Sequence, residues 1–365
     1  MAPFIFVEFS HMTKRETISG ELKSILKKVS RTLYLSLNIL PEPARSLMGL
    51  GYLLCRAMDT VVDAPGVSTA GKLEILSLMR GLETPGNPAR LEELVKKLAP
   101  LAAGSGEMEL LLKFGKVLSL YERISDQEKE LFSQLLAGVA SGMEMDVNLF
   151  PGGQPVALAT AADLERYCTL IGGAPGVFWA RIYRETIRGN NPLVTELPSV
   201  KEAEDLGAAL QMTNLLKDIP ADLLVGRCYL PQSDLDANNL KPEELLAPAT
   251  MPRIRETTAK WMAWALDRFD SSEAFLLTVP KTELALRAAV IWPVYWAMET
   301  LEALSHANLL DPAARTKIRR SRIYATIAST PPLLLSNTAF ARGYRFRREM
   351  LVVSMTGGDI GGGAL

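Results

Sequence analysis

Two stretches of the chain place carboxylates four residues apart on what reads as a helix. The first carries Tyr52, Arg56, Asp59 and Asp63. At 3.6 residues per turn these side chains fall within roughly 60° of one another, a polar line on an otherwise apolar helix. The second carries Gln211, Asn214, Asp218 and Asp222, which span roughly 80° by the same geometry. Around them stand Leu206, Leu210, Met212, Leu215 and Leu216. Carboxylates at i and i+4 repel when both are ionised, so such a pair on an apolar helix makes sense if a cation sits between them. One pair alone is usually a solvated face. Two pairs, each with Asn, Gln, Tyr or Arg on the same line, point to a shared metal. If the helices face each other, they supply oxygens for Mg²⁺, which takes a few carboxylates, waters and substrate phosphate oxygens. Such ions neutralise a diphosphate and make it a leaving group.

The elements that must hold these lines read as helices throughout. Apolar residues recur at three- and four-residue spacing over 21–37, 44–63, 70–80, 107–121, 126–148, 161–185, 201–218, 255–276 and 282–305. Breaks fall at Pro41 and Pro43, at Pro65 and Gly66, over 84–88, at Pro151 to Gly153, over 189–192 and at Pro252. Pro220 predicts a kink inside the second acidic helix and places Asp222 at or beyond a bend. Residues 226–231 read as a loop. No sustained period-2 alternation predicts a sheet, and no repeat or linker divides the chain. We expect residues 1–20 to be an N-terminal extension, 21–350 one helical domain, and 351–365 a Gly-rich tail.

Composition narrows the chemistry. Hydrophobic residues make up 48% of the 365, enough for a large core. Lys plus Arg number 40 against 41 Asp plus Glu, which lacks the basic excess of a nucleic-acid binder. Cys55, Cys168 and Cys228 lie far apart, as reduced thiols in a cytoplasmic protein would. His11 and His306 are too few for a His-rich zinc site or a Ser–His–Asp triad. The N-terminus has no positive charge before its short apolar run and does not read as a signal peptide. The uncharged stretch 323–341 contains Pro331, Pro332 and Asn337 and does not read as a membrane span.

The two lines, with their flanks, resemble the squalene/phytoene synthase family. Val29, Ser30, Arg31 and Thr32 are similar to its N-terminal diphosphate-contacting motif. Residues 52–63 resemble its first aspartate-rich helix. Residues 214–222, followed by Gly226, Arg227, Cys228, Tyr229, Leu230 and Pro231, resemble its second. The likeness covers about 30–324 and leans toward bacterial squalene synthases through 218–231, through Trp292 and Pro293, and through 317–320. Val62 cuts the other way, since Val is frequent there in phytoene synthases. Val62 and Ala221 also remove carboxylates often present in the family.

The resemblance implies an all-α, single-domain isoprenoid-synthase helical bundle with a central active-site cavity. It implies head-to-head joining of two farnesyl diphosphates to presqualene diphosphate, then NADPH-dependent reduction to squalene. The same fold leaves open a phytoene or dehydrosqualene synthase, an enzyme that stops at presqualene diphosphate or makes hydroxysqualene, and a non-catalytic scaffold. Under the resemblance Asp59, Asp63, Asn214, Asp218 and Asp222 hold Mg²⁺, with Mn²⁺ as an alternative. Ser30, Arg31, Arg56, Gln211, Asn214 and Arg227 hold diphosphate; guanidinium forks suit its oxygens. Tyr167, and Tyr52 beside the first line, are the polar aromatics, Tyr167 on the helix whose tyrosine assists proton removal. Gly172, Gly173 and Gly176 leave room beside a prenyl tail. Phe178, Trp179, Trp292, Tyr295 and Trp296 line an apolar tunnel and face cations. No Gly-rich dinucleotide fingerprint follows a strand, so NADPH phosphates fall to Lys317, Arg319 and Arg320. The bases and aromatics of 342–348 suggest peripheral contact with an anionic membrane. The chain is expected to act as a monomer or homodimer.

Overall fold

The computed structural model describes residues 17–314 and 316–355. Helix makes up 76% of it, as the spacing of apolar residues predicts. α1 (Gly20–Ser30) and α2 (Leu33–Ile39) are separated by Arg31, which takes a left-handed φ of 50°. The first acidic line lies on α3 (Ala44–Asp63). α4 (Thr69–Arg80), α5 (Asn87–Leu98), α6 (Ser105–Leu112) and α7 (Phe114–Glu122) lead to the long α8 (Asp126–Leu149). A short strand, β1 (Val156–Leu158), precedes α9 (Ala161–Cys168), a π-helical turn (Thr169–Gly173) and α10 (Ala174–Asn190). The second acidic line lies on α11 (Val200–Leu224), which runs into β2 (Arg227–Pro231). Then come α12 (Gln232–Asp236), α13 (Met251–Phe269), α14 (Ser271–Thr278), α15 (Leu284–Ser305), α16 (Arg320–Ser329), α17 (Pro331–Leu335) and α18 (Asn337–Met355).

Packing follows the apolar faces. α3 buries Leu50, Leu53, Leu54, Ala57, Met58 and Val61, and leaves Arg56, Asp59 and Asp63 along its edge. Each fully buried leucine contributes roughly 1.5–3 kcal/mol. α11 is central and packs on α10, α13, α14 and α15, while α3 packs on α8 and α10. Thr160 caps α9 through a reciprocal pair with Asp163: its hydroxyl accepts from the Asp163 N–H at 3.2 Å, and its own N–H donates to the carboxylate at 3.0 Å. That cap fixes the start of the helix that carries Tyr167.

Several expectations are corrected here. Pro220 does not end or displace the second line, because α11 continues to Leu224 and Asp222 remains on it. Losing a helix hydrogen bond at proline costs about 3 kcal/mol. The burial of Leu215, Leu216, Ile219 and Leu223 around it offsets that. Residues 226–231 are not a loop. β2 pairs in parallel with β1, Val156 opposite Arg227 and Ala157 opposite Cys228. Gly226, at φ 84°, makes the turn between α11 and β2. A Cβ there would stand 3.1 Å from the Gly153 carbonyl oxygen, so both conformation and space require glycine. α5 starts inside an expected break, since Pro88 stands in its first turn, where proline's missing N–H costs nothing. Likewise 323–341 forms parts of α16 to α18, with Pro331 and Pro332 opening α17. α18 runs to Met355, past residue 350, and Leu351 is buried. The Gly-rich residues from 357 on, and 1–16 of the N-terminal extension, lie outside the described residues. Among the described residues no helix is long and apolar enough to cross a membrane.

The glycines of the π-turn do not make room for a ligand. Gly172 meets Gly207 backbone to backbone, and a Cβ on Gly176 would overlap the Ala203 carbonyl oxygen. They let α10 and α11 approach more closely than any side chain allows. Gly176→Ala therefore forces the two helices apart. We expect it to lose about 3 kcal/mol of unfolding free energy in denaturant titration; a loss under about 0.5 kcal/mol would show that the contact is not tight.

Candidate active site

The carboxylates of the two lines are brought into one electrostatic neighbourhood. Arg227 Nη2 donates to Asp63 Oδ1 at 2.8 Å, tying the end of α3 to the first residue of β2, just beyond α11. Arg56 Nη1 donates to Asp59 Oδ2 at 2.5 Å, and its Nη2 donates to Glu107 Oε1 on α6 at 2.6 Å. The Tyr52 hydroxyl donates to the Val29 carbonyl at 3.0 Å, which holds α3 against the α1–α2 break. Ser30 is buried there, its hydroxyl donating to the Leu26 carbonyl at 2.6 Å. Arg31 is exposed, with its charge acting on Tyr52 and Glu107. On α11, Lys217 donates to Asn214 Oδ1 at 2.9 Å and pairs with Asp218 at 3.3 Å. Gln211 lies against the π-turn at Gly172.

Acidic side chains crowd this region. Asp222 is pushed up to about 7, first by burial and then by the Asp218 carboxylate, with Arg227 opposing and Asp146 and Asp63 adding to the rise. Asp59 is pushed up to about 6, by burial and then by Asp63, with Arg56 and Arg227 opposing. Asp146, on α8, was not among the expected residues. It is buried and accepts a hydrogen bond from the Tyr167 hydroxyl at 2.8 Å. Burial pushes its carboxyl up to about 7 against the pull of Arg227, Tyr167 and Tyr229. The Tyr167 and Tyr229 hydroxyls lie 3.2 Å apart. Asp146 has no carboxylate at i−4 or i+4, so no helical spacing marks it. Glu107 was missed for the same reason. A buried carboxylate in a helix of Met143, Met145 and Val147 was the available signal.

Among the described residues no group of three or more His, Cys, Asp or Glu side chains stands close enough to hold a metal by itself. The donors are two pairs, Asp59 with Asp63 and Asp218 with Asp222. That set fits hard cations that share their coordination with diphosphate oxygens and water. Excess negative charge in a partly buried site fits the same occupant.

Other expected residues lie elsewhere. Lys317, Arg319 and Arg320 are exposed at the start of α16. Between them Ile318 packs onto a separate apolar cluster of Ala288, Trp292, Trp296 and Ile323. The five aromatics do not line one tunnel. Phe178 meets Phe132 edge-on at 4.9 Å, Trp292 stacks on Trp296 at 6.1 Å, and Tyr295 stacks on Phe340 at 5.9 Å. Trp292 and Trp296, at i and i+4, share one face and a small cluster apart from the main core, whereas Phe178, Trp179 and Tyr295 belong to the main core. Two cavities, of about 250 and about 160 Å³, lie beside α1–α2 and between α8 and α10, and no aspartate of either pair lines them. The bases of 342–348 are largely engaged: Arg345 bonds Glu273, Arg348 bonds Asp270 and Asp267, and Arg347 lies 4.2 Å over the Tyr295 ring.

The raised carboxyls have a sign that can be measured. Asp59, Asp146 and Asp222 bind protons more tightly folded than unfolded. Between the unfolded and folded values, stability therefore falls as pH rises. We expect the metal-free protein to melt at a lower temperature at about pH 8 than at about pH 5.5. Added Mg²⁺ should raise the melting temperature mainly at the higher pH. A melting temperature that rises steadily from about pH 5.5 to 8 without metal would contradict this charge balance.

Known proteins give the same outline. The family model described as squalene/phytoene synthase matches residues 26–322. A presqualene diphosphate synthase of Rhodopseudomonas palustris is 27% identical over 300 residues, covering 80% of this chain and 89% of that protein. A 15-cis-phytoene synthase of Synechocystis sp. is 23% identical over 316 residues, covering 84% and 82%. A bifunctional lycopene cyclase/phytoene synthase of Phaeosphaeria nodorum is 26% identical over 259 residues, 70% of this chain but only 41% of that longer protein. In fold, the complex of TcSQS with the ligand BPH1237 superposes with a TM-score of 0.72 at 19% identity, covering 92% of this chain and 98% of that one. A dehydrosqualene synthase does so at 0.55 and 18% identity, covering 88% and 96%. A family model that spans most of the chain, both acidic lines included, places this protein in the squalene/phytoene synthase family.

Proposed function

We propose that the protein joins two farnesyl diphosphates head to head into presqualene diphosphate and reduces that product to squalene with NADPH. The observation that carries the reading is the pairing of each aspartate of the first line with an arginine: Arg56 with Asp59, and Arg227 with Asp63. An arginine beside a carboxylate pair serves two states. Before substrate arrives it balances the carboxylates. Once the carboxylates turn to cations, the same guanidinium is released toward diphosphate oxygens, where its fork geometry suits it. Mg²⁺ bound by Asp59, Asp63, Asp218 and Asp222 would neutralise the departing diphosphate.

The chain's own residues do the rest. Arg56 is held from behind by Glu107, which fixes the direction of the Nη1 end that meets Asp59. Tyr52 holds α3 against the α1–α2 break, and Ser30 closes the last turn of α1 there. The apolar walls of α3 and α11 keep water from the allylic cation. Tyr167, buried beside the site, is positioned to accept the proton lost when the cyclopropane ring closes. Its hydroxyl is kept protonated by burial and by the Asp146 charge, so it acts only in concert with its partners.

A second reading stops at presqualene diphosphate. Two observations favour carrying it. A relative of that name covers most of both chains. The basic segment assigned to NADPH is exposed beside an apolar cluster separate from the core that carries the acidic lines. Purified protein given farnesyl diphosphate and Mg²⁺ should accumulate presqualene diphosphate, and squalene once NADPH is added. Phytoene from geranylgeranyl diphosphate, or dehydrosqualene or hydroxysqualene despite NADPH, would overturn the squalene assignment. In the same assay Asp218→Asn should lower turnover by about 100-fold or more. Its thermal stability should change little, since the substitution removes like-charge repulsion on a helix.

A further inference from the structure

Four elements converge on one buried carboxylate carried by a fifth. Asp146 comes from α8 and is 6% exposed. Tyr167 reaches it from α9, Tyr229 and Arg227 from β2, Asp222 from α11, and Asp63 from the end of α3. One of its oxygens, Oδ2, accepts from the Tyr167 hydroxyl at 2.8 Å. The other, Oδ1, is buried and has no hydrogen-bond partner among the described residues. Leaving a buried polar atom unpaired costs about 1–3 kcal/mol, and more for a charged one. A purely structural carboxylate would gain by being replaced with an apolar residue, as Met143 and Val139 already are on the same helix. The Tyr167 and Tyr229 rings lie 4.8 Å apart and tilted by 36°, which brackets the hydroxyl between the carboxylate and a second hydroxyl. Tyr167 is thereby held in one rotational state of its O–H bond, directed at Asp146. The lone pairs of its oxygen are left for a neighbour.

We propose that Asp146 is a positioning residue for Tyr167: it fixes the phenol and receives its proton when ring closure releases one from carbon. The step balances. The carbon–hydrogen bond beside the cation breaks, and its electron pair completes the new carbon–carbon bond of the cyclopropane. The proton goes to the Tyr167 oxygen while the phenol's own proton moves along the 2.8 Å hydrogen bond to Asp146 Oδ2. Tyr167 ends as it began, and Asp146 ends protonated. Tyr229 steadies the pair from the other side. The strand pairing of β2 with β1 is what brings Tyr229 to the end of α8, since β1 follows α8 directly in the chain. This inference rests on the condensation proposed above, and it adds to that reading a residue outside both acidic lines.

The test is Asp146→Asn in the full-length protein, with Asp146→Glu and Tyr229→Phe beside it. Asn keeps the size and can bond the tyrosine, yet it cannot take its proton. We expect kcat for presqualene diphosphate to fall about 100-fold, within the range general base catalysis supplies. KM for farnesyl diphosphate and Mg²⁺-dependent binding of farnesyl thiodiphosphate should stay within about twofold of wild type, because every side chain assigned to the diphosphate and its metal is unchanged. The Glu variant, which keeps a carboxylate to take the proton, should recover at least tenfold of the kcat lost in the Asn variant, about 1.4 kcal/mol in the barrier. The other groups facing this carboxylate are Asp63, Asp222, Arg227, Tyr167 and Tyr229, and all are unchanged in both. Wild-type kcat in Asp146→Asn would overturn the inference. So would an equal loss of kcat and analogue binding, which would place Asp146 in the diphosphate site instead. If Asp146→Asn does not fold, Tyr229→Phe decides: a lower kcat at unchanged KM supports the network, and unchanged kcat removes it. Wild-type protein that binds the analogue but forms no condensation product would count against the proposed reaction itself, a result separate from any of these.

Discussion

Negative charge in a partly dry space is the constraint on which this architecture depends. Two aspartates on α3 and two on α11 repel along their own helices, and burial raises the cost of keeping them ionised. The protein meets that cost with arginines. Arg227 reaches back from β2 to Asp63, and Arg56 spans Asp59 and Glu107. Without those contacts the edge of α3 and the end of α11 would carry uncompensated charge. Isolated surface ion pairs contribute little to stability. Here the pairs matter because they share a low-dielectric space with further carboxylates, which makes the arrangement a network.

That balance needs backbone placed with care, and small residues provide it. The π-turn and the glycines at 172, 176 and 207 bring α10 and α11 into contact along their backbones. The turn follows Tyr167 directly, so the close seam and the position of the phenol are set by the same few residues. On the other side, the Gly226 turn and the short parallel pairing of β1 with β2 deliver Arg227 and Tyr229 to the site. A two-stranded pairing contributes little stability by itself. It sets the direction in which the chain leaves α11.

Much of this was legible in the sequence. The 3.6-residue period marks the long helices because their apolar faces are broad, and the two acidic lines stand out because they interrupt such faces. Legibility ended where one side chain acts alone. Asp146 has no partner at helical spacing, and its role is set by Tyr167 and Tyr229 from distant segments. Residues 226–231 carry no alternation, since a strand buried along most of its length shows none. Pro88 and Pro252 read as breaks although each sits in the first turn of a helix, where proline is accommodated. Trp292 and Trp296 share a face of α15 and stack on each other, while Tyr295 stacks on Phe340 in the main core, so the expected tunnel lining resolves into separate contacts. The arginines of 342–348 looked free for a membrane because their acidic partners lie more than seventy residues away.

The proposed exchange of arginine for metal at the acidic pairs is most directly tested by a crystal structure with Mn²⁺ and farnesyl thiodiphosphate, using anomalous scattering to place the ions. The account predicts Mn²⁺ between diphosphate oxygens and Asp59, Asp63, Asp218 and Asp222, with Arg227 moved off Asp63 onto the diphosphate. Ions bound elsewhere, or the Arg227–Asp63 contact intact beside bound diphosphate, would contradict it.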